Sequence, residues 1–248
     1  MLEVFTNLFN KNKNNYSNLI KDFSKDLKFS PKANFDRKTE YKISDIFLEC
    51  LDPQKSSSLS FTIYENMAKN YDKLLFQSSQ VEFDLFVINP LYIGREFNKT
   101  MSFQNMSINE DTNKKILFEV VFGNGYILIQ DMENIEEKID IIKIKEKEFI
   151  LVESGKCFTI INSSENENLL LAAFREKDTI LKSNVLKNYH GSSLYYTKLG
   201  FLKNNNVHPG FQINEYDGNY TQDLAFDKNK GLYKEFVSLP EKFNFLKE

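Results

Sequence analysis

Few side chains in this sequence suit acid–base or nucleophilic chemistry. The chain has two histidines, His190 and His208, and two cysteines, Cys50 and Cys157. Both histidines stand next to turn-forming residues and the sequence holds no Gly-x-Ser-x-Gly motif, so no serine triad is predicted and a surface or structural role is favoured for each. The cysteines form no Cys-x-x-Cys pair, which argues against a zinc site or a disulfide framework. Cys157 falls in an apolar run and is expected to be a buried, inert thiol.

The carboxylate with the most unusual setting is Glu119, within the apolar run Leu-Phe-Glu-Val-Val. Burial would raise the pKa of this carboxyl and suit it to general acid–base work. Strict alternation along a strand would instead point the side chain outward. Glu110, in a polar loop, is a second acidic candidate. Glu119 or Glu110 with His190 is therefore the weak candidate catalytic set.

The composition is that of an ordinary globular protein. The 248 residues are 41% hydrophobic, and 32 basic against 35 acidic residues give a net charge of −3. Nothing in this balance provides the clustered positive field that nucleic acid or an anionic membrane requires. The sequence lacks both a run of about 20 apolar residues and the apolar core of a signal peptide. We therefore expect a cytoplasmic protein without nucleic-acid or membrane partners.

Short apolar runs rich in Val, Ile, Phe and Tyr recur from about residue 40 and are separated by turn residues. This spacing predicts an all-β sandwich or barrel. The glycines of Gly123-Asn124-Gly125 indicate a hairpin, because glycine accepts the positive φ of a tight turn. The predicted strands are 59–64, 73–77, 83–88, 116–122, 126–130, 139–144, 149–152, 157–161, 169–174 and 194–197.

The two ends of the chain differ from this central region. Residues 1–38 are rich in Lys and Asn, with apolar residues at loose helical spacing, and predict an N-terminal helical arm. Residues 206–248 predict a polar tail with a short helix at 232–236. The barrel is assigned to residues 39–205.

The order of several residues resembles one protein family. Pro90 precedes Gly94-Arg95-Glu96-Phe97 and Thr100, the glycine segment continues as Tyr-Ile-Leu-Ile-Gln, and a later strand closes on Asn162. This resembles the cupin-type (archaeal-type) glucose-6-phosphate isomerase family, whose pattern reads P-x-x-x-G-K-E-F-x-x-T-K-G-H-x-H, then G-K-G-G-x-L-L-Q, then V-P-P-x-x-x-H-x-x-x-N. The resemblance covers about residues 40–205. It implies a cupin fold, an antiparallel double-stranded β-helix barrel with short helices at both termini.

The resemblance also implies a divalent metal ion, held by two histidines of one strand, a glutamate and a third histidine. Such an ion would polarise the sugar carbonyl during aldose–ketose isomerisation. In this sequence the two strand histidines correspond to Phe103 and Asn105, the glutamate to Ile116 and the third histidine to Phe158. Phe and Ile cannot ligate a metal, and one amide oxygen is too weak a ligand alone. We therefore expect that the metal site is lost and that no cofactor is used.

Two residues of the family pattern remain as candidates for binding a sugar phosphate. Thr100 matches a threonine of the pattern, and Arg95 replaces a lysine while keeping the charge. The alternative is that both are surface or turn residues.

Two functional hypotheses follow. In the first, the chain is a cupin pseudoenzyme of carbohydrate metabolism that binds a sugar phosphate or another protein. In the second, it is an active isomerase that converts glucose 6-phosphate to fructose 6-phosphate with a divergent acid–base set. The direction of the side chains at 116–120 discriminates between them, because Glu119 pointing into the barrel would revive the enzyme hypothesis. The resemblance further suggests a homodimer through edge strands.

Overall fold

The computed structural model describes residues 15–17, 19–23, 27–109, 112–207, 210–218, 220 and 224–248. Short strands are the main secondary structure of these residues. The strands are β1 (Ile20–Asp22), β2 (Lys28–Phe29), β3 (Ala33–Asn34), β4 (Arg37–Lys42), β5 (Leu59–Glu65), β6 (Ala68–Lys69), β7 (Val81–Ile88), β8 (Tyr92–Ile93), β9 (Glu96–Phe97), β10 (Phe103–Ser107), β11 (Ile116–Phe122), β12 (Asn124–Asp131), β13 (Lys138–Lys145), β14 (Phe149–Val152), β15 (Lys156–Asn162), β16 (Leu169–Glu176), β17 (Thr179–Ser183), β18 (Leu194–Thr197), β19 (Gly200–Lys203) and β20 (Gln212–Asp217). The helices are α1 (Ile43–Ile46), α2 (Lys73–Ser79) and α3 (Leu232–Ser238), with 3₁₀ turns at Phe47–Glu49, Lys187–Tyr189 and Pro240–Lys247.

Two six-stranded sheets build the barrel. The first sheet has the order β17-β10-β15-β12-β13-β20, and the second has the order β14-β11-β16-β7-β5-β4. Neighbouring strands run antiparallel, except that β20 runs parallel to β13. A four-stranded sheet, β19-β18-β9-β8, packs against the outer face of the first sheet. The predicted all-β cupin barrel is thereby confirmed.

The interior of the barrel is apolar because inward positions on both sheets carry branched and aromatic side chains. Each such side chain contributes roughly 1.5–3 kcal/mol of stability on burial. The largest fully buried members of this interior are Phe61, Phe86, Phe103, Phe118 and Phe158.

The outer face of the second sheet is also apolar, and both ends of the chain cover it. Tyr16 and Leu19 come from the N-terminal segment, and Phe236 and Phe243 come from the C-terminal segment. The described residues of the arm form turns and the strands β1 to β3, not the expected helix, and residues 1–14 lie outside the described residues. The expected tail supplies α3, as predicted, and also adds β20 to the first sheet.

Two local predictions from the sequence are wrong. Residues 73–77 lie in α2 and not in a strand. The segment 123–125 is not a hairpin, because β11 and β12 belong to different sheets. Gly123 has φ +86° at this corner, and a Cβ there would lie 2.6 Å from the carbonyl oxygen of Asn168. The other nine predicted strands are confirmed.

Among the described residues, none of the helices has the length and apolar character that crossing a bilayer requires.

Candidate functional site

The positions that correspond to the family's metal ligands lie together inside the barrel. Phe103 on β10 and Phe158 on β15 are directly opposite each other in the strand pairing, and their ring centroids are 5.9 Å apart. The ring of Phe118 lies 5.1 Å from that of Phe158, and Phe86 lies 5.7 Å from Phe118. All four side chains are fully buried. Aromatic contact therefore fills this part of the barrel.

Side chains of β11 alternate between the barrel interior and the outer face of the second sheet. Ile116, Phe118 and Val120 belong to the interior cluster, whereas Leu117 and Val121 belong to the cluster on the outer face of the second sheet. Because side chains alternate along a strand, Glu119 points away from the interior. The orientation is the one that the first functional hypothesis requires.

Asn105 is the polar residue among the four positions that correspond to metal ligands. Its side chain is buried, and its Nδ2 donates a hydrogen bond to the carbonyl oxygen of Lys115 at 3.0 Å. Its Oδ1 accepts no hydrogen bond from the described residues. Nowhere in the described ranges do three or more His, Cys, Asp or Glu side chains come together as a metal site would require. One neutral amide oxygen beside phenyl rings does not fit a divalent transition metal ion.

Thr100 and Arg95 are both engaged within the protein. Thr100 is fully buried; its Oγ1 accepts a hydrogen bond from the backbone N–H of Ile160 at 3.0 Å. Arg95 lies in the exposed turn between β8 and β9, and its guanidinium donates to both carboxylate oxygens of Asp52 at 2.8 and 2.9 Å. Hydrogen bonding from Arg95 lowers the pKa of Asp52. Thr100 is thus buried against a neighbouring strand, and Arg95 lies in a surface turn.

Glu119 points outward from the barrel, as the alternation suggested, yet it is buried. Its Oε2 accepts hydrogen bonds from the hydroxyl of Tyr16 and from the backbone N–H of Leu232, each at 2.6 Å. Burial raises the pKa of Glu119 to about 7, although both hydrogen bonds act in the opposite direction. The chain ends, not solvent, cover this carboxyl.

The structure does not bring Glu119 and His190 together. His190 is exposed, with φ +57°, and the neighbouring Ser192 and Ser193 bond to Thr159 and Gln130 on the outer face of the first sheet. Glu119 lies on the outer face of the second sheet, on the other side of the barrel. Glu110 and His208 lie outside the described residues.

Both cysteines are free and buried, as expected for Cys157. Burial raises the pKa of each thiol to about 12, so neither has the thiolate character of a reactive cysteine.

A buried ion pair that the sequence analysis did not predict lies beneath the small outer sheet. Lys99 donates from Nζ to Glu96 Oε2 at 2.9 Å and to the carbonyl oxygen of Glu49 at 2.6 Å, and its ammonium lies 4.9 Å from the ring centroid of Tyr195. Burial is the largest single influence and would lower the pKa of Lys99, but the combined interactions with Glu96, Cys50 and Tyr195 raise this pKa above its ordinary value. Through these two contacts, Lys99 links the 3₁₀ turn after α1 to β9 of the outer sheet.

The sequence model of a family described as glucose-6-phosphate isomerase matches residues 38–212, more than two thirds of the 248 residues. The chain belongs to the glucose-6-phosphate isomerase family. A search of curated proteins found no match.

Solved structures similar to this family member are cupins of low identity. Vicilin from Capsicum annuum is 12% identical with a TM-score of 0.36, over 50% of this chain and 30% of that chain. Vicilin from tomato is 14% identical with a TM-score of 0.37, over 58% of this chain and 36% of that chain. An oxalate oxidase is 10% identical with a TM-score of 0.39, over 52% of this chain and 58% of that chain. The match thus spans about a third of the length of each vicilin.

Proposed function

We propose that this chain is a non-catalytic member of the glucose-6-phosphate isomerase family that acts through protein contacts at its surface. The observation that carries the proposal is the ring contact of Phe103 and Phe158, at two positions where the family places metal ligands, with the neighbouring Phe118 packed against Phe158. Hydrocarbon side chains there strengthen the barrel core but cannot bind an ion or polarise a carbonyl.

A sugar phosphate is the less favoured ligand. Such a ligand needs polar groups that converge on an open pocket. Thr100 is buried against the backbone of Ile160, and Arg95 is paired with Asp52. The two candidate residues for binding phosphate therefore have partners within the chain.

The purified protein is expected to carry no stoichiometric transition metal and to leave glucose 6-phosphate unchanged. The reason is the ligand set: all four family ligands are replaced, three of them by Phe or Ile and the fourth by Asn105. Elemental analysis gives the metal content, and a coupled assay after incubation with Mn²⁺, Fe²⁺, Ni²⁺ or Zn²⁺ gives the activity. A metal-dependent isomerase of the family assayed in parallel is the positive control.

About one ion per chain, with an isomerase activity that EDTA removes, would overturn the proposal. Thermal unfolding with glucose 6-phosphate or fructose 6-phosphate provides a separate check. A ligand at 100 times its Kd would add about 2.7 kcal/mol to the free energy of unfolding, whereas we expect no change in Tm.

We propose that the partner surface is the edge of β19 opposite β18, and that the partner is a second copy of this chain. Among the described residues, β19 pairs with β18 on one side alone. The turn before it exposes 94% of Leu199, and β19 itself exposes 37% of Leu202. An edge strand with exposed apolar side chains is a template for pairing with another strand. The edge strand β4, with its charged side chains, is less suited to this role.

Replacing Leu199 by Asp and Leu202 by Lys is expected to convert a dimer to a monomer in light scattering, with unfolding by urea unchanged. Ile213→Lys, on the separate edge strand β20, is the matched control and should remain dimeric. A wild-type chain that is monomeric at high micromolar concentration, or a double variant that still dimerises, would contradict the assignment of this edge.

A further inference from the structure

One carboxyl group joins both ends of the chain to the barrel. Tyr16 belongs to the N-terminal segment and Leu232 is the first residue of α3, yet both donate to the same oxygen of Glu119 at 2.6 Å. Gly231 packs so closely that a Cβ there would lie 3.0 Å from Glu119 Oε1. The carboxyl is 2% exposed.

Among the described residues, the groups around this carboxyl provide hydrogen bonds but no neutralising cation. Tyr16 faces it from the N-terminal segment, and Phe149 and Ala172 flank it on the neighbouring strands. Of the charged groups near the start of α3, Lys230 Nζ lies 3.8 Å from Glu235 Oε1 and is directed to that residue. The titratable groups on the helix itself are Tyr233, Lys234 and Glu235.

The hydroxyl of Tyr233 is directed away from Glu119 as well. It donates to Asp72 at 2.9 Å and accepts from the backbone N–H of Lys69. Ionisation of Glu119 would therefore place a negative charge in apolar surroundings. Among the described residues, the two hydrogen bonds to Oε2 are what stabilises that charge.

Burial raises the pKa of Glu119 to about 7, and this value determines how the stability of the arrangement changes with pH. The folded-state value exceeds the ordinary value of 4.5, so the folded state holds the proton more tightly than the unfolded state. The resulting stability is fully present below pH 4.5 and is lost as the pH rises through about 7.

Aromatic side chains lie beneath the two segments that Glu119 holds. The ring of Tyr16 is 6.1 Å from that of Phe83, and the ring of Phe236 is 4.3 Å from Phe76 and 6.0 Å from Phe174. These rings belong to the outer face of the second sheet or pack on it. Detachment of the segments would expose a continuous apolar surface.

We propose that Glu119 is a pH-dependent latch, which in its neutral form holds both chain ends on the barrel and on ionisation releases them from the aromatic outer face. The neutral carboxyl keeps Oε2 as an acceptor for both donors and carries no charge that would favour hydration. The ionised carboxylate gains free energy from hydration, which requires Tyr16 and the start of α3 to move away. The latch responds over the pH range that cells maintain, and it acts on a surface separate from the barrel interior.

Hydrogen exchange at pH 6 and pH 8, corrected for the intrinsic exchange rates, tests the proposal on three chains. In the wild type, protection of the segments 19–23 and 232–238 should fall about tenfold between these pH values, while protection of β12 stays constant. Glu119→Gln keeps an acceptor oxygen but cannot ionise, so its protection should not change with pH. Glu235→Gln is the control, because it removes a buried carboxylate of the same helix and should behave as the wild type.

Equal loss of protection in wild type and Glu119→Gln would overturn the proposal, as would a wild type whose ends stay protected at pH 8. Tyr16→Phe serves if Glu119→Gln fails to fold. It removes one of the two hydrogen bonds, so the segment 19–23 should lose protection already at pH 6. A Tyr16→Phe chain whose N-terminal segment stays as protected as in the wild type would also contradict the latch.

Discussion

Phe118→Ala is expected to lower the free energy of unfolding by about 3–5 kcal/mol, because it removes a fully buried ring from the barrel interior. The ring contacts Phe158 and Phe86, with centroids 5.1 and 5.7 Å away, and the two sheets that carry them restrict collapse of the cavity. Urea unfolding followed by circular dichroism gives the difference from the shift in midpoint at constant slope.

The control for this variant is Phe35→Ala, since Phe35 is 37% exposed near the surface. We expect a loss of at most about 1 kcal/mol at that site. A loss below 1 kcal/mol for Phe118→Ala would show that the interior is loosely filled. In that case aromatic packing would not account for the loss of the metal site.

Lys99→Met should lower the free energy of unfolding by a similar amount, about 3–5 kcal/mol, because it leaves the carboxylate of Glu96 buried without its cation. Glu96 would keep the hydrogen bond from the backbone N–H of Leu51, but the ammonium at 2.9 Å would be gone. Denaturant unfolding of Lys99→Met, Glu96→Gln and the double variant gives the coupling energy of the pair.

Lys38→Met provides the matched control, because Lys38 pairs with Glu40 on the exposed strand β4. Exposed pairs contribute at most about 1 kcal/mol. If Lys99→Met cost no more than Lys38→Met, the buried ion pair would not be what fastens the segment after α1. A double variant as stable as the wild type would instead show that the pair serves specificity more than stability.

Sequence patterns predicted the strands because each strand carries its own alternation and ends in turn residues. The run at 73–77 was predicted as a strand since its apolar residues are contiguous, a feature that a short buried helix shares. The corner at Gly123 was predicted as a hairpin because glycine favours the positive φ of a tight turn. A positive φ does not indicate, however, which strands pair with each other. In the structure β11 pairs with β14 and β16, and β12 pairs with β13 and β15.

The inward or outward direction of each side chain of the candidate site could be predicted from the strand register. Contacts between residues far apart in the sequence could not. The register placed Ile116 inward and Glu119 outward, as the structure has them. The burial of Glu119 depends on Tyr16 and Leu232, which are 103 and 113 positions away. No local pattern can indicate which part of a chain will cover the outer face of a sheet. Lys99 and Glu96 are only three positions apart, but the Glu49 carbonyl to which Lys99 also donates lies 50 positions before it, so the burial of this ion pair could not be predicted from the local sequence either.

The pairing of the central strands has a consequence for how fast this molecule can fold. β16 lies between β11 and β7 in the second sheet, and its partner residues on β7 precede it by more than 80 positions. Such pairings form only after a long loop has closed, and domains dominated by them fold in milliseconds to seconds. During that time the phenylalanine-rich strands remain unprotected. The Phe side chains that fill the barrel interior are thus exposed for a long interval during folding, and this exposure favours aggregation.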